Sequence, residues 1–309
     1  MSVRDYVRMA RPDHWFKNVF ILPGLLTAAV FTKTPWRDLV SPLVVGGISA
    51  CLIASANYVI NEWVDADDDR FHPVKRDRPA VRKQVRMPWV WVEYALLILA
   101  GMGLAATVSV GFLAASVLFA VAGIVYNMKP FRTKDRTYLD VVSESVNNPI
   151  RLLLGWFMVT ESILPPASLV LGYWMGGAFL MGVKRYSELR YLGGSGHAEQ
   201  YRRSFRHYTE ENLLTSSFFY GLFSAFCLGV FLVKHRVELL ISVPFLAVLF
   251  AWYLRIGLKP DSSAQHPERL YREGFFFAYC VILAALLVVL FVWDVPLLHW
   301  FLGGSQYRG

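Results

Sequence analysis

Asn57, Asn61, Asp65 and Asp69 recur every fourth residue where an apolar run ends. If one helix carries them, they share a face, because positions i, i+4 and i+8 stack along it. Carboxylates stacked so closely repel unless a cation lies between them. Hard oxygen donors with room for water and phosphate suit Mg²⁺ best. Asn61, Asp65 and Asp69 are therefore the expected metal donors of a magnesium-diphosphate site. Asp67 and Asp68 fall off that face, and a solvated position is expected for both. Arg70, His72, Lys75, Arg76 and Arg78 follow at once and supply donors for phosphate oxygens the metal does not hold. Attraction to anionic lipid is the other use of such a cluster.

Two further constellations carry charge. In Lys184-Arg185-Tyr186-Ser187-Glu188, the i, i+4 spacing of Lys184 and Glu188 allows an interfacial ion pair, or with Arg185 an anion pocket. Asp140, Glu144 and Arg151 form the other set. An Arg inside an apolar run is costly unless it faces protein or water, so Arg151 is a site candidate, with Glu144 available to neutralise it. Cys51, Cys227 and Cys280 each sit in apolar runs, where packing is expected.

These residues need an apolar scaffold. The chain has 309 residues, 55% hydrophobic and 17% charged, with mean hydropathy +0.40, which indicates a polytopic all-α membrane protein. Nine spans are expected, at 18–32, 39–60, 89–108, 111–127, 138–158, 164–183, 212–233, 239–254 and 275–293. With the amino terminus cytoplasmic, 25 of the 31 Lys and Arg fall on the inner side, five on the outer, and Arg151 within a span. That asymmetry follows the positive-inside rule, so the net charge of +8 reports topology and no nucleic-acid partner is expected. The carboxyl terminus is then outside. One helical domain over 1–309 is expected, with 1–17 holding an interfacial amphipathic helix and 61–88, 128–137, 184–211 and 255–274 forming cytoplasmic connections. The long connections place the active site on the cytoplasmic face. No cleavable leader is evident in the first run, and no P-loop, zincin or dinucleotide motif is present.

The asparagine-rich second span, its N-x3-D-x3-D array and the following basic loop resemble the UbiA-type intramembrane prenyltransferases over essentially the whole chain. Three segments resemble the decaprenyl-phosphate phosphoribosyltransferase branch: Arg11-Pro12-x-x-Trp15-x-Lys17-Asn18, Asp69-Arg70-x-His72-Pro73-x-Lys75-Arg76-x-Arg78-Pro79, and Gly182-x-Lys184-Arg185-Tyr186-x-Glu188. The resemblance implies transfer of a 5-phosphoribosyl group from phosphoribosyl diphosphate to a polyprenyl phosphate in the bilayer, as entry to lipid-linked arabinose donors. It implies Mg²⁺ on Asn61, Asp65 and Asp69, with Glu62 where members usually carry the first Asp of the motif. Asn57 and the basic loop would meet the donor. Lys17, Lys184, Arg185 and Arg151 would meet the acceptor phosphate, and Asp140, Tyr186 and Glu188 the ribose hydroxyls. A second acidic motif, usual after the sixth span, is replaced here by Lys184-Arg185-Tyr186-Ser187-Glu188, which suits an anionic acceptor. The alternatives are prenyl transfer to an aromatic acceptor on the same fold, and a non-enzymatic transporter. A homo-oligomer is left open.

Overall fold

The chain begins with α1 (Val3–Ala10), where Ser2 caps Arg4 and Asp5 reaches back to the Ser2 amide. Val3 and Val7 stay exposed on α1 while Met9 is fully buried. A 3₁₀ stretch, Pro12–Ile21, leads into α2 (Leu22–Thr32), then α3 (Trp36–Val64) and the single turn α4 (Ala66–Asp69). Next come α5 (Met87–Ala106), α6 (Val110–Asn127), α7 (Leu139–Ser145), α8 (Asn147–Phe157) and α9 (Ala167–Tyr191). The last helices are α10 (Glu210–His235), α11 (Val243–Gly257) and α12 (Gly274–Val292). This computed structural model describes residues 2–71, 75–193, 198–199, 202–260, 262–265, 270 and 272–293, and every regular element among them is helical.

Seven helical stretches among the described residues are long and apolar enough to cross a membrane. They correspond to seven of the nine expected spans. The expected 138–158 span is broken into α7 and α8 at Val146. Pro149 explains the break: it donates no amide and its ring crowds the carbonyl four residues earlier. The expected 164–183 span is helical in α9, but four glycines with Tyr173 and Trp174 dilute its apolar character.

Contacts divide the chain into two compact units, 1–165 with 192–209, and 166–191 with 210–309. In the first, α3 packs on α5 and α6, α8 packs on α2 and α6, and α1 lies against α3. Ile21, Ile53, Phe112, Phe119, Ile150 and Leu154 form its main core. A second cluster joins Met9 of α1 to Val59, Ala80, Val85 and Val90. In the second unit, α9 and α10 pack along each other, and α11 contacts both α9 and α12. At 29 residues, α3 is roughly 43 Å long, more than the thickness of a hydrocarbon core.

Two glycines bring α2 and α8 together backbone to backbone. A Cβ on Gly24 would lie 1.9 Å from the Leu152 carbonyl oxygen, and one on Gly155 would lie 2.0 Å from that of Ile21. Gly155→Ala is expected to destabilise the protein by about 3 kcal/mol, since neither backbone can yield. A lowered melting temperature in detergent checks this. An unchanged one would mean that the helices are farther apart.

Candidate active site

The α3 helix does not continue straight through its acidic end. It stops at Val64, Asp65 caps it at φ −90°, ψ −1°, and a new turn holds Asp67, Asp68 and Asp69. Carboxylates at a helix C-terminus face the negative end of its dipole, whereas a first turn favours them. Backbone bonds from Asp65 N–H to Asn61 and from Asp69 N–H to Asp65 keep the four-residue rungs. The side chains nevertheless part: Asp69, 2% exposed, accepts from Arg78, while Asp65 accepts from Lys134 and, at 3.4 Å, Arg132.

Asn61 ties this end of α3 to α6. Its amide donates to Asp65 Oδ2 at 3.1 Å and to Asn127 Oδ1 at 2.6 Å. Asn127 Oδ1 also accepts from Lys134 Nζ at 3.1 Å, and its own amide donates to the Gly123 carbonyl. One turn earlier, Asn57 donates to the Phe119 carbonyl, and its Oδ1 is buried with no hydrogen-bond partner among the described residues. A Cβ at Gly123 would meet that oxygen at 2.1 Å, so only glycine lets Asn57 in. Asp68 accepts from Arg132 at 2.8 Å and is not the solvated residue expected, because the 128–137 connection folds back onto it; Asp67 is exposed as expected.

Burial of Asp65 disfavours its charge, yet Lys134, Arg202 and Arg132 outweigh it and hold the carboxyl below the ordinary range. Asp68 moves the other way, raised by partial burial with Asp65 and Asp135 nearby, although Arg132 opposes this. The site therefore offers an ionised carboxylate, amide oxygens and three cations. Among the described residues no three of His, Cys, Asp and Glu gather as a ligand group. Asn61 and Asp65 still fit Mg²⁺, which takes one or two carboxylates from protein and fills its shell with water and phosphate.

Other expected donors lie elsewhere. Glu62, 1% exposed, accepts from Arg11 at 2.9 Å and from the Ala80 amide at 3.5 Å, so its oxygens hold α1 and the 75–86 connection. Its side chain leaves the Asn61–Asp65 face because successive helical residues turn about 100°. Asp140, expected at the ribose hydroxyls, is fully buried with its oxygens accepting from Ser204 and Tyr208. Arg70 and Arg76 are exposed, Lys75 is half-buried, and His72 lies outside the described residues.

Arg151 is 8% exposed on α8, donates to Asn18 Oδ1 at 3.0 Å, and lies over the Phe119 ring. Asn18 donates in turn to Cys51. Lys17 sits 3.1 Å from His14 Nδ1 and 5.9 Å from the Tyr58 ring centre. Glu144 accepts from Tyr126. In the second unit, Arg185 is fully buried and donates to Glu188, while Tyr186 donates to Glu210; Lys184 is half-buried beside them.

A model of the UbiA prenyltransferase family matches residues 19–278. The chain belongs to that family. It is a membrane-embedded transferase. It is similar to the decaprenyl-phosphate phosphoribosyltransferase of Mycolicibacterium smegmatis, 29% identical over 214 residues. That match covers 68% of this chain and 64% of the relative, just under two thirds of its length. It is also similar to nodulation protein NoeC of Azorhizobium caulinodans, 31% identical over 283 residues, 90% of this chain and 78% of that protein. Its fold is similar to that of a UbiA homolog from Archaeoglobus fulgidus solved with DMAPP and Mg²⁺, with TM-score 0.68 and 19% identity over 91% of this chain and 99% of that one.

Sequence reasoning about this UbiA-family chain missed Asn127, Arg132, Lys134 and Arg202. Three of them lay in view: Asn127 ends the fourth span, and the 128–137 connection carries four Lys and Arg. On the sequence alone those charges report topology. Nothing local to Arg202 marks it, since only folding brings residues 192–209 to the first unit.

Proposed function

We propose that this protein transfers a 5-phosphoribosyl group from phosphoribosyl diphosphate to a polyprenyl phosphate, on the cytoplasmic face of the membrane and with Mg²⁺. Asn61 and Asp65 would hold the ion, with Asp68 beside them on Arg132. When bound, it would supply charge neutralisation for the departing diphosphate. Arg132 and Lys134 bind and orient the same oxygens, and Arg78 with Lys75, Arg70 and Arg76 supplies further donors. The ribose C1–O bond to diphosphate breaks and a C1–O bond to the acceptor phosphate forms. A phosphate monoester is already a nucleophile and needs no strong base.

The observation that carries this reading is Arg151. A guanidinium buried among spans, donating to Asn18 and lying over Phe119, suits an anionic acceptor better than an uncharged aromatic ring. Lys17 at Tyr58, next to Asn57, adds a second cation for the same phosphate. The name of the Mycolicibacterium smegmatis relative supports this assignment.

Membranes containing the protein, given radiolabelled phosphoribosyl diphosphate, polyprenyl phosphate and Mg²⁺, should move label into the organic phase. No label there, with prenylation of an aromatic acceptor by a polyprenyl diphosphate, would replace this reading by the prenyl-transfer one. Arg151→Leu is expected to raise the KM for polyprenyl phosphate about a hundredfold, leaving the KM for the ribosyl donor within about threefold. Equal changes in both would remove Arg151 from the acceptor site.

A further inference from the structure

Residues 202–208 are fastened onto the start of α7 by a buried carboxylate. Asp140 Oδ1 accepts from Tyr208 Oη at 2.7 Å, and Oδ2 accepts from Ser204 Oγ at 3.1 Å. Tyr208 Oη also accepts from the Tyr138 amide at 2.8 Å, and the two rings meet edge-on at 5.5 Å. Thr137 Oγ1 donates to the Ser204 carbonyl at 2.9 Å, and Phe205 is fully buried. Tyr138 takes φ +67°, a left-handed conformation that a bulky side chain rarely adopts. A carboxylate with no solvent access needs such donors, and Arg202 Nη1 adds positive charge 4.0 Å from Oδ2.

The fastened segment delivers a charge. Arg202 Nη1 donates at 3.1 Å to the hydroxyl of Tyr126, the residue before Asn127. Asn127 in turn binds Asn61 and Lys134. Through Tyr126 and Asn127, Arg202 is tied to the same polar network as Lys134 and Arg132, and its charge acts with theirs on Asp65.

We propose that Asp140 is a positioning residue, clasping residues 202–208 so that Arg202 joins Arg132 and Lys134 in gripping a diphosphate at the Asp65 site. The inference rests on a diphosphate binding there, whether a ribose or an isoprenoid carries it. Asp140 itself touches no substrate.

Two measurements on the purified full chain in detergent test this. Trypsin cleaves after Arg202, Arg203 and Arg206, of which Arg203 and Arg206 are exposed. Asp140→Asn, Ser204→Ala and Tyr208→Phe should each speed that cleavage several-fold; the last two remove one hydroxyl apiece and serve if Asp140→Asn fails to fold. Calorimetry with inorganic diphosphate and Mg²⁺ should show Arg202→Ala and Asp140→Asn each weakening binding about tenfold or more. The double variant should bind no worse than Arg202→Ala, and Arg202→Lys should recover part of the loss. Unchanged cleavage in all three clasp variants overturns the clasp. Wild-type diphosphate affinity in Arg202→Ala overturns its assignment, and additive losses overturn positioning, because Asp140 would then meet the ligand itself. Diphosphate binding with this dependence in a protein that moves no phosphoribosyl group upholds the clasp while overturning the proposed reaction.

Discussion

Asp65→Asn is expected to lower turnover about a thousandfold or more while the protein still inserts and elutes as a single species. The substitution keeps the shape of the side chain and can still accept from Lys134. What it removes is the charge. Asp65 is the carboxylate on which Asn61, Arg132 and Lys134 converge, so its charge balances the cations before substrate arrives. Initial rates in membranes, normalised to the amount of inserted protein, measure the effect. Activity above about a tenth of wild type would remove Asp65 from the reaction centre.

Lys134→Met should cost both stability and rate. Its ammonium is almost fully buried and bonds Asp65 and Asn127, so its loss leaves a largely buried carboxylate with Arg132 at 3.4 Å. Breaking one side of such a pair costs about 3 kcal/mol, and removing one donor from a diphosphate grip costs about a hundredfold in turnover. Despite burial, the cations hold Asp65 below the unfolded value of 3.8, so the pair's contribution is complete above that pH and disappears as pH falls through the lower folded value. The stability deficit is therefore expected in full at neutral pH. Combining Lys134→Met with Asp65→Asn separates structure from chemistry. Melting temperature should recover, since no buried charge is left alone, while turnover stays lost. A double variant as unstable as Lys134→Met would show that the ion pair is not the cause.

Local chemistry explains which parts of the site were legible in the chain. Asn57, Asn61 and Asp65 could be read because four-residue spacing on one helix is a local property, and α3 carries all three as far as its cap. Arg151 could be read because an ionisable group in an apolar run is anomalous by itself. Asp69 broke the pattern when its carboxylate found Arg78, and Glu62 found Arg11, a residue 51 positions away. Asp140 carried the right charge for a ligand. Its donors, Ser204 and Tyr208, lie 64 and 68 residues further on, where no local spacing announces them.

The chain alone determined that this is a helical membrane protein, where its apolar stretches lie, and that an oxygen-rich helix end adjoins cations, because hydropathy and helical periodicity are written in neighbouring residues. Only the tertiary structure decided which carboxylate meets which cation. Each such choice depends on how far a side chain can reach across packed helices. Burial then makes every unmatched charge too costly to leave.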